Sequence, residues 1–297
     1  MPVSRMDLAD AGSPEKIVSL ILQNEPNLSI PVPIEGLCRQ LDIEDLQDLE
    51  SEGFEGGLLT DSDRSFGFIL VKKGYEERRR FTIAHELGHF LMPHHIPDRE
   101  GHFLCSRADM LRLGAKETDR RERMEVEANR FASLILIPPP ALRLALRPYR
   151  EPDLAHIPKL ARDFKVSKEA MARAYAQHCD KPIAILVTRH GKVLRCYKHI
   201  QFPFVLPSKG SPVPAGSLFH RGPHEQNIAS DPAECVPDLW IEVKRGERAP
   251  TLYEQVYAQR DGFALIMLHL EQPDEDDEAE ERDLEESWRV GFRGRRR

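Results

Sequence analysis

The segment RRRFTIAHELGHFLMPHHIPD, residues 78–98, holds four histidines, and two of them, His85 and His89, bracket Glu86 in the pattern His-Glu-x-x-His. Residues four apart on an α-helix project from one face, one turn apart, so both imidazoles can bind a single ion. Glu86, one residue round, stays beside that ion without binding it. This is where a general base is needed. A bound ion lowers the pKa of its water to about 7, and the carboxylate takes the proton as water attacks a carbonyl. Gly88, inside the same helix, costs about 1 kcal/mol relative to alanine, which points to close approach by a neighbour or a substrate.

A third ligand would turn this motif into a site, and two candidates stand in the sequence. His95 lies six residues beyond His89, where an extended zinc-peptidase pattern places a histidine, but that pattern needs glycine where Met92 stands. Met92 followed by Pro93 argues against it. Downstream, RERMEVEANRFASLILIP offers Glu125 with Asn129 one helical turn on. A carboxylate there can bind the ion while the amide holds a ligand histidine. Glu127 falls about 200° round the helix from Glu125, which leaves it a salt bridge or a solvated face. Two histidines and a glutamate with an open water position form a known catalytic zinc arrangement, and the same ligands accept manganese or iron. His94, His95, His102 and Cys105 make a possible second metal set, with a polar loop as the simpler reading.

These residues need helices and a sheet to position them. Ser13 and Pro14 open a first helix with an apolar stripe at Ile17, Leu20 and Ile21, and PVPIEGLCRQL gives a short second one. Residues 43–72 alternate between glycine-rich punctuations and read as a small sheet. Helical periodicity covers about 77–92 and about 117–137, where IPPP ends it. Two further helices, 153–164 and 167–178, are capped between by Ser167. Their sequence, LARDFKVSKEAMARAYAQH, resembles a helix-turn-helix with basic Lys159, Arg162, Lys165, Lys168 and Arg173, but core packing accounts for Leu160, Phe164, Met171 and Tyr175 as well and is preferred. Beyond 180 the texture turns to strands, PIAILVT, KVLRCYKHI, LWIEVKR, LYEQVYAQ and FALIMLHL, with RHGK and RDG as hairpin turns.

The reading is an α+β chain: a flexible terminus over 1–12, a zincin-like peptidase domain over 13–180 that includes the helical pair, a β-rich domain over 181–270, and a tail over 271–297. Most of the net charge of −7 comes from that tail, which holds eleven acidic residues against Arg282 up to residue 288 and then five arginines. Residues 1–270 carry only −2, so whole-molecule charge favours neither nucleic acid nor its exclusion. Five widely spaced cysteines without a C-x-x-C pair suggest free thiols. The absence of a secretory-type apolar run and of any stretch long enough for a bilayer suggests a cytoplasmic protein.

The paired motifs RRRFTIAHELGHFLM and EVEANRFASLILIP, preceded by the glycine-rich strands GFEGGLL and FGFILVKK, resemble the ImmA/IrrE family of zinc metallopeptidases from about residue 14 to 178. The resemblance implies zinc on His85, His89 and Glu125 with Glu86 as base, in agreement with the helix geometry. It also implies cleavage of a cytoplasmic protein, commonly a helix-turn-helix repressor, which switches on stress or mobile-element genes. Two departures stand out. No helix-turn-helix fits before residue 30, and residues 93–121 form an extra segment that could lie over the cleft. The C-terminal domain offers no catalytic motif; a sensor, docking or dimerisation role stays open. The competing reading is a non-proteolytic regulator with a structural metal that binds DNA or a partner.

Overall fold

The computed structural model describes residues 2–50, 52–97, 101–112, 114–116, 118–242 and 249–271. The tail expected over 271–297 lies outside them except for Glu271. The chain divides into two compact units: one runs to Glu151 and resumes over Ala155–Cys179, while the other takes Pro152–Leu154 and the chain from Asp180.

In the first unit, α1 (Pro14–Asn24) starts as its sequence dictates: the Ser13 hydroxyl accepts from the Lys16 amide and Pro14 takes the first helical position. The residues before it, expected as a flexible terminus, bury Val3, Leu8 and Ala11, and the Val3 amide donates to Glu25 at 2.9 Å. Three apolar side chains in nine residues are enough to dock this piece. After α2 (Ile34–Gln40) come β1 (Ile43–Leu49), β2 (Gly56–Thr60) and β3 (Gly67–Lys72), then α3 (Glu76–Leu91). Next are β4 (His102–Cys105), α4 (Arg107–Met110), α5 (Arg120–Leu136) and α6 (Pro139–Leu146), followed by α7 (His156–Phe164) and α8 (Lys168–His178).

The sheet order is β1-β3-β2-β4, with β1 and β3 parallel and β2 antiparallel to both β3 and β4. β4 and α4 correct the expectation of a loop between the two motif helices. The strand alternates exposed His102 and Leu104 with buried Phe103 and Cys105, a two-residue period too short to read from sequence alone. α3 packs against α5 so tightly that a Cβ on Gly88 would stand 3.0 Å from the Phe131 ring. Gly88 therefore serves the helix pair. α7 and α8 bury Leu160, Phe164, Met171 and Tyr175, the packing reading of the helix-turn-helix-like stretch. The triple proline that ends α5 also starts α6, an element missed in the sequence, because proline is well suited to a first helical turn.

The second unit is an antiparallel sheet ordered β6-β5-β9-β8-β7, from β5 (Ile183–Arg189), β6 (Lys192–Lys198), β7 (Ala233–Cys235), β8 (Leu252–Ala258) and β9 (Phe263–Leu270). His190 and Gly191, both at positive φ, make the tight turn between β5 and β6. The segment LWIEVKR is not a strand where it is described: Leu239 ends a short 3-10 turn, and Trp240 and Ile241 enter the core. The neighbouring Glu254, fully buried, accepts from the Leu218 amide at 3.0 Å, from Trp240 Nε1 at 3.2 Å and from the Ser217 hydroxyl. No helix among the described residues is long and apolar enough to cross a membrane.

Candidate metal centre

α3 presents His85 and His89 on one face, and α5 crosses it with Glu125 and Asn129. All four are buried, His85 and His89 completely. The two histidine Nε2 atoms are 3.1 Å apart, and Glu125 Oε2 lies 3.2 Å from the first and 3.5 Å from the second. Glu86 is fully buried beside them, and neither of its carboxylate oxygens has a hydrogen-bond partner. Room for this carboxylate comes from Gly56 at the start of β2, where a Cβ would stand 2.5 Å from Glu86 Oε1.

The far nitrogens of both imidazoles are committed. His85 Nδ1 is 2.9 Å from Asn129 Oδ1, and Asn129 Nδ2 donates to the carbonyls of Asp109 at 2.7 Å and Arg112 at 3.0 Å. Those two acceptors fix the amide's orientation, so His85 donates from Nδ1, and Nε2 is the nitrogen that faces Glu125. His89 is held in a second chain: its Nδ1 is 2.9 Å from Nδ1 of His95, whose Nε2 is 2.9 Å from Glu127 Oε2. A proton passed down this chain leaves His89 Nε2 bare, in the manner of carboxylate–histidine pairs behind metal ligands.

His95 thus reaches His89 from behind and stays out of the cluster itself. The Arg64 guanidinium sets this turn by donating to the carbonyls of His89 at 3.2 Å and Met92 at 2.8 Å, and to that of His95. Glu127, expected to point away from Glu125, pairs with His94 at 2.7 Å as well as with His95. The second metal set suggested by His94, His95, His102 and Cys105 is not assembled. His94 and His95 group with Glu127, His102 is exposed on β4, and Cys105 joins His85, His89 and Glu125, all four ligand atoms within 4.8 Å of one another.

Charge and burial pull against each other here. Burial pushes the Glu86 carboxyl up to about 7. It acts in the same direction on Glu125, but the two imidazoles facing that carboxylate outweigh it and hold the group well below the ordinary range. Burial, with the neighbouring His85, brings His89 down to about 4. The Cys105 thiol is pushed well above its ordinary value by burial and by Glu86 and Glu125, so without a cation it is neutral.

Two ring nitrogens and a carboxylate oxygen converge on one point, where a positive charge, whether a proton or a metal ion, is favoured. Glu125 Oε2 completes no hydrogen bond despite its proximity to both rings. The separations of 3.1–3.5 Å match the edges of a tetrahedron with zinc–nitrogen bonds of about 2.0 Å, which are roughly 3.3 Å. These residues fit a divalent ion. A cavity of about 260 Å³ adjoins them, lined by Cys105 and Glu125 with the apolar Ile96, Phe103, Leu104 and Met124.

A helix with a buried His-Glu-x-x-His face, crossed by a glutamate-bearing helix beside a small mixed sheet, defines a zincin-like metallopeptidase domain. Residues 51–175 match the family described as the IrrE N-terminal-like domain, Peptidase M78. The match bears out the resemblance drawn from the two motifs. No curated protein matches the chain.

Proposed function

We propose that this metallopeptidase domain is a zinc-dependent endopeptidase, with His85, His89 and Glu125 as ligands, Glu86 as general base and Asn129 as the residue that orients His85. The observation that carries the reading is the fully buried, unpartnered Glu86 carboxylate beside three converging donor atoms. When bound, zinc supplies a Lewis acid and brings the pKa of water to about 7. Glu86, buried beside the ligand atoms, accepts the proton of the attacking water and returns it to the leaving amine. Asn129 and the His95–Glu127 pair keep both imidazole lone pairs turned inward.

The substrate in this reading is a cytoplasmic protein, a helix-turn-helix transcriptional repressor whose cleavage switches on stress or mobile-element genes. Support for a peptide substrate is the free side of β4, which among the described strands pairs only with β2; an extended chain can add to such an edge beside the cavity. The test is Glu86→Gln. The variant retains metal and leaves a co-expressed repressor intact, whereas the unaltered protein cuts it; undiminished cutting by the variant overturns the mechanism.

A further inference from the structure

Cys105 has no part in hydrolysis, yet it stands inside the ligand set. Its Sγ lies 3.7 Å from His89 Nε2 and 3.9 Å from Glu125 Oε1, and the residue is 1% exposed. A buried thiol alone is an ordinary small core residue. Two observations separate this one. The Glu86 oxygens and Glu125 Oε2, from residues no more than 4% exposed, complete no hydrogen bond among the described residues, and both carboxylates lie against the Cys105 thiol. The sulfur-to-His89 spacing of 3.7 Å is also near that of a ligand pair: with zinc–nitrogen bonds of about 2.0 Å and zinc–sulfur bonds of about 2.3 Å, the nitrogen–sulfur edge of a tetrahedron is roughly 3.5 Å.

We propose that Cys105 is the fourth protein ligand of the resting site, so that sulfur occupies the position that hydrolysis needs for water. The inference rests on the reading of His85, His89 and Glu125 as ligands. Four protein ligands make a closed, structural type of site, and three leave it open for chemistry. A dication deprotonates a coordinating thiol outright, which makes the sulfur a competent ligand at this distance.

The placement suits a removable ligand. The other three sit on the long helices α3 and α5, whereas Cys105 ends β4, a four-residue strand paired with β2. Its partner in register is Gly56, the same glycine that makes room for Glu86. Displacement of β4 therefore withdraws the thiol and opens the site while α3 and α5 stay packed. A peptide that adds to the edge of β4 is positioned to cause this, which makes the peptidase latent until its substrate, or a partner, engages that strand.

Zinc K-edge X-ray absorption on the full chain loaded with one zinc tests the assignment without a substrate. The expected result is one sulfur at about 2.3 Å beside nitrogen and oxygen ligands. In Cys105→Ala this sulfur is lost while zinc is retained. Cobalt substitution reports the same contact through a near-ultraviolet sulfur-to-cobalt charge-transfer band, present in the unaltered protein and absent from the variant. If the alanine variant does not fold, the spectra of the unaltered protein still decide. Zinc bound through nitrogen and oxygen alone overturns the inference and leaves the three-ligand reading standing. A sulfur shell that persists in Cys105→Ala also overturns it. Failure of the unaltered chain to retain zinc overturns the three-ligand reading and this inference with it.

Discussion

Asn129 Oδ1 sits 2.9 Å from Nδ1 of His85, and the same amide is anchored by the backbone carbonyls of Asp109 and Arg112. The side chain cannot turn over without losing two acceptors, so it dictates which imidazole nitrogen faces Glu125. Asn129→Leu keeps the volume and loses that control. Zinc affinity should fall about 10- to 100-fold in a chelator competition. The orphaned carbonyls and ring nitrogen should cost about 1–3 kcal/mol of stability in urea unfolding of the metal-free protein.

Glu125 and His95 give opposite outcomes on substitution. Glu125→Ala removes a carboxylate from among the converging atoms and should leave the purified protein without zinc. His95→Ala cuts only the link from His89 to Glu127, and a weakened but occupied site is the expected result. Metal analysis of the two proteins checks this. An empty site in His95→Ala with zinc retained in Glu125→Ala would reverse the assignment.

The buried Glu86 makes a stability prediction for the metal-free chain. Its pKa is raised from 4.5 to about 7 in the folded state, so the native protein holds this proton where the unfolded chain has released it. Stability contributed by the protonated group is therefore present below pH ~4.5 and is lost as pH rises to about 7. The loss amounts to roughly 3 kcal/mol. Glu86→Gln cannot ionise, so the metal-free variant should be more stable than the parent at pH 8 and close to it at pH 4. Urea midpoints at the two pH values measure the difference, and a constant offset between them refutes it.

Gly88→Ala sets helix propensity against packing. Alanine gains about 1 kcal/mol in a helix interior, but its methyl would meet Phe131 at 3.0–3.3 Å, one contact being the Phe131 Cβ, which no rotamer moves aside. Phe131 is fully buried, so the two helices must part. Overpacking of this kind costs about 1–3 kcal/mol. Net destabilisation in urea, with weaker zinc binding because α5 carries Glu125, is the expected outcome; a more stable variant would show that the interface yields.

The centre was legible where chemistry follows helical period. His85, His89, Glu125 and Asn129 meet because residues four apart share a face, and two such pairs on two helices were readable without knowing how the helices cross. Cys105 was readable only as a free thiol or as part of a loop cluster, since its place depends on the register of β4 against β2. The role of His95 depended on a turn after Met92 held by Arg64, a residue from another part of the chain. Gly56 had a visible sign, a double glycine in a strand, which often marks close approach by another group. The fold was least legible in its short pieces: α6 hid in a run of prolines, and the apolar residues of LWIEVKR fill a core from irregular backbone.

The stretch from Cys105 to Arg112 touches the centre at both ends. One end carries the thiol beside His89, and the other supplies the carbonyls of Asp109 and Arg112 that brace Asn129 behind His85. Ser106 and Asp109 tie the interval together with reciprocal hydrogen bonds. The segment that borders the cleft is thus also the one that orients a histidine on the opposite side of the cluster.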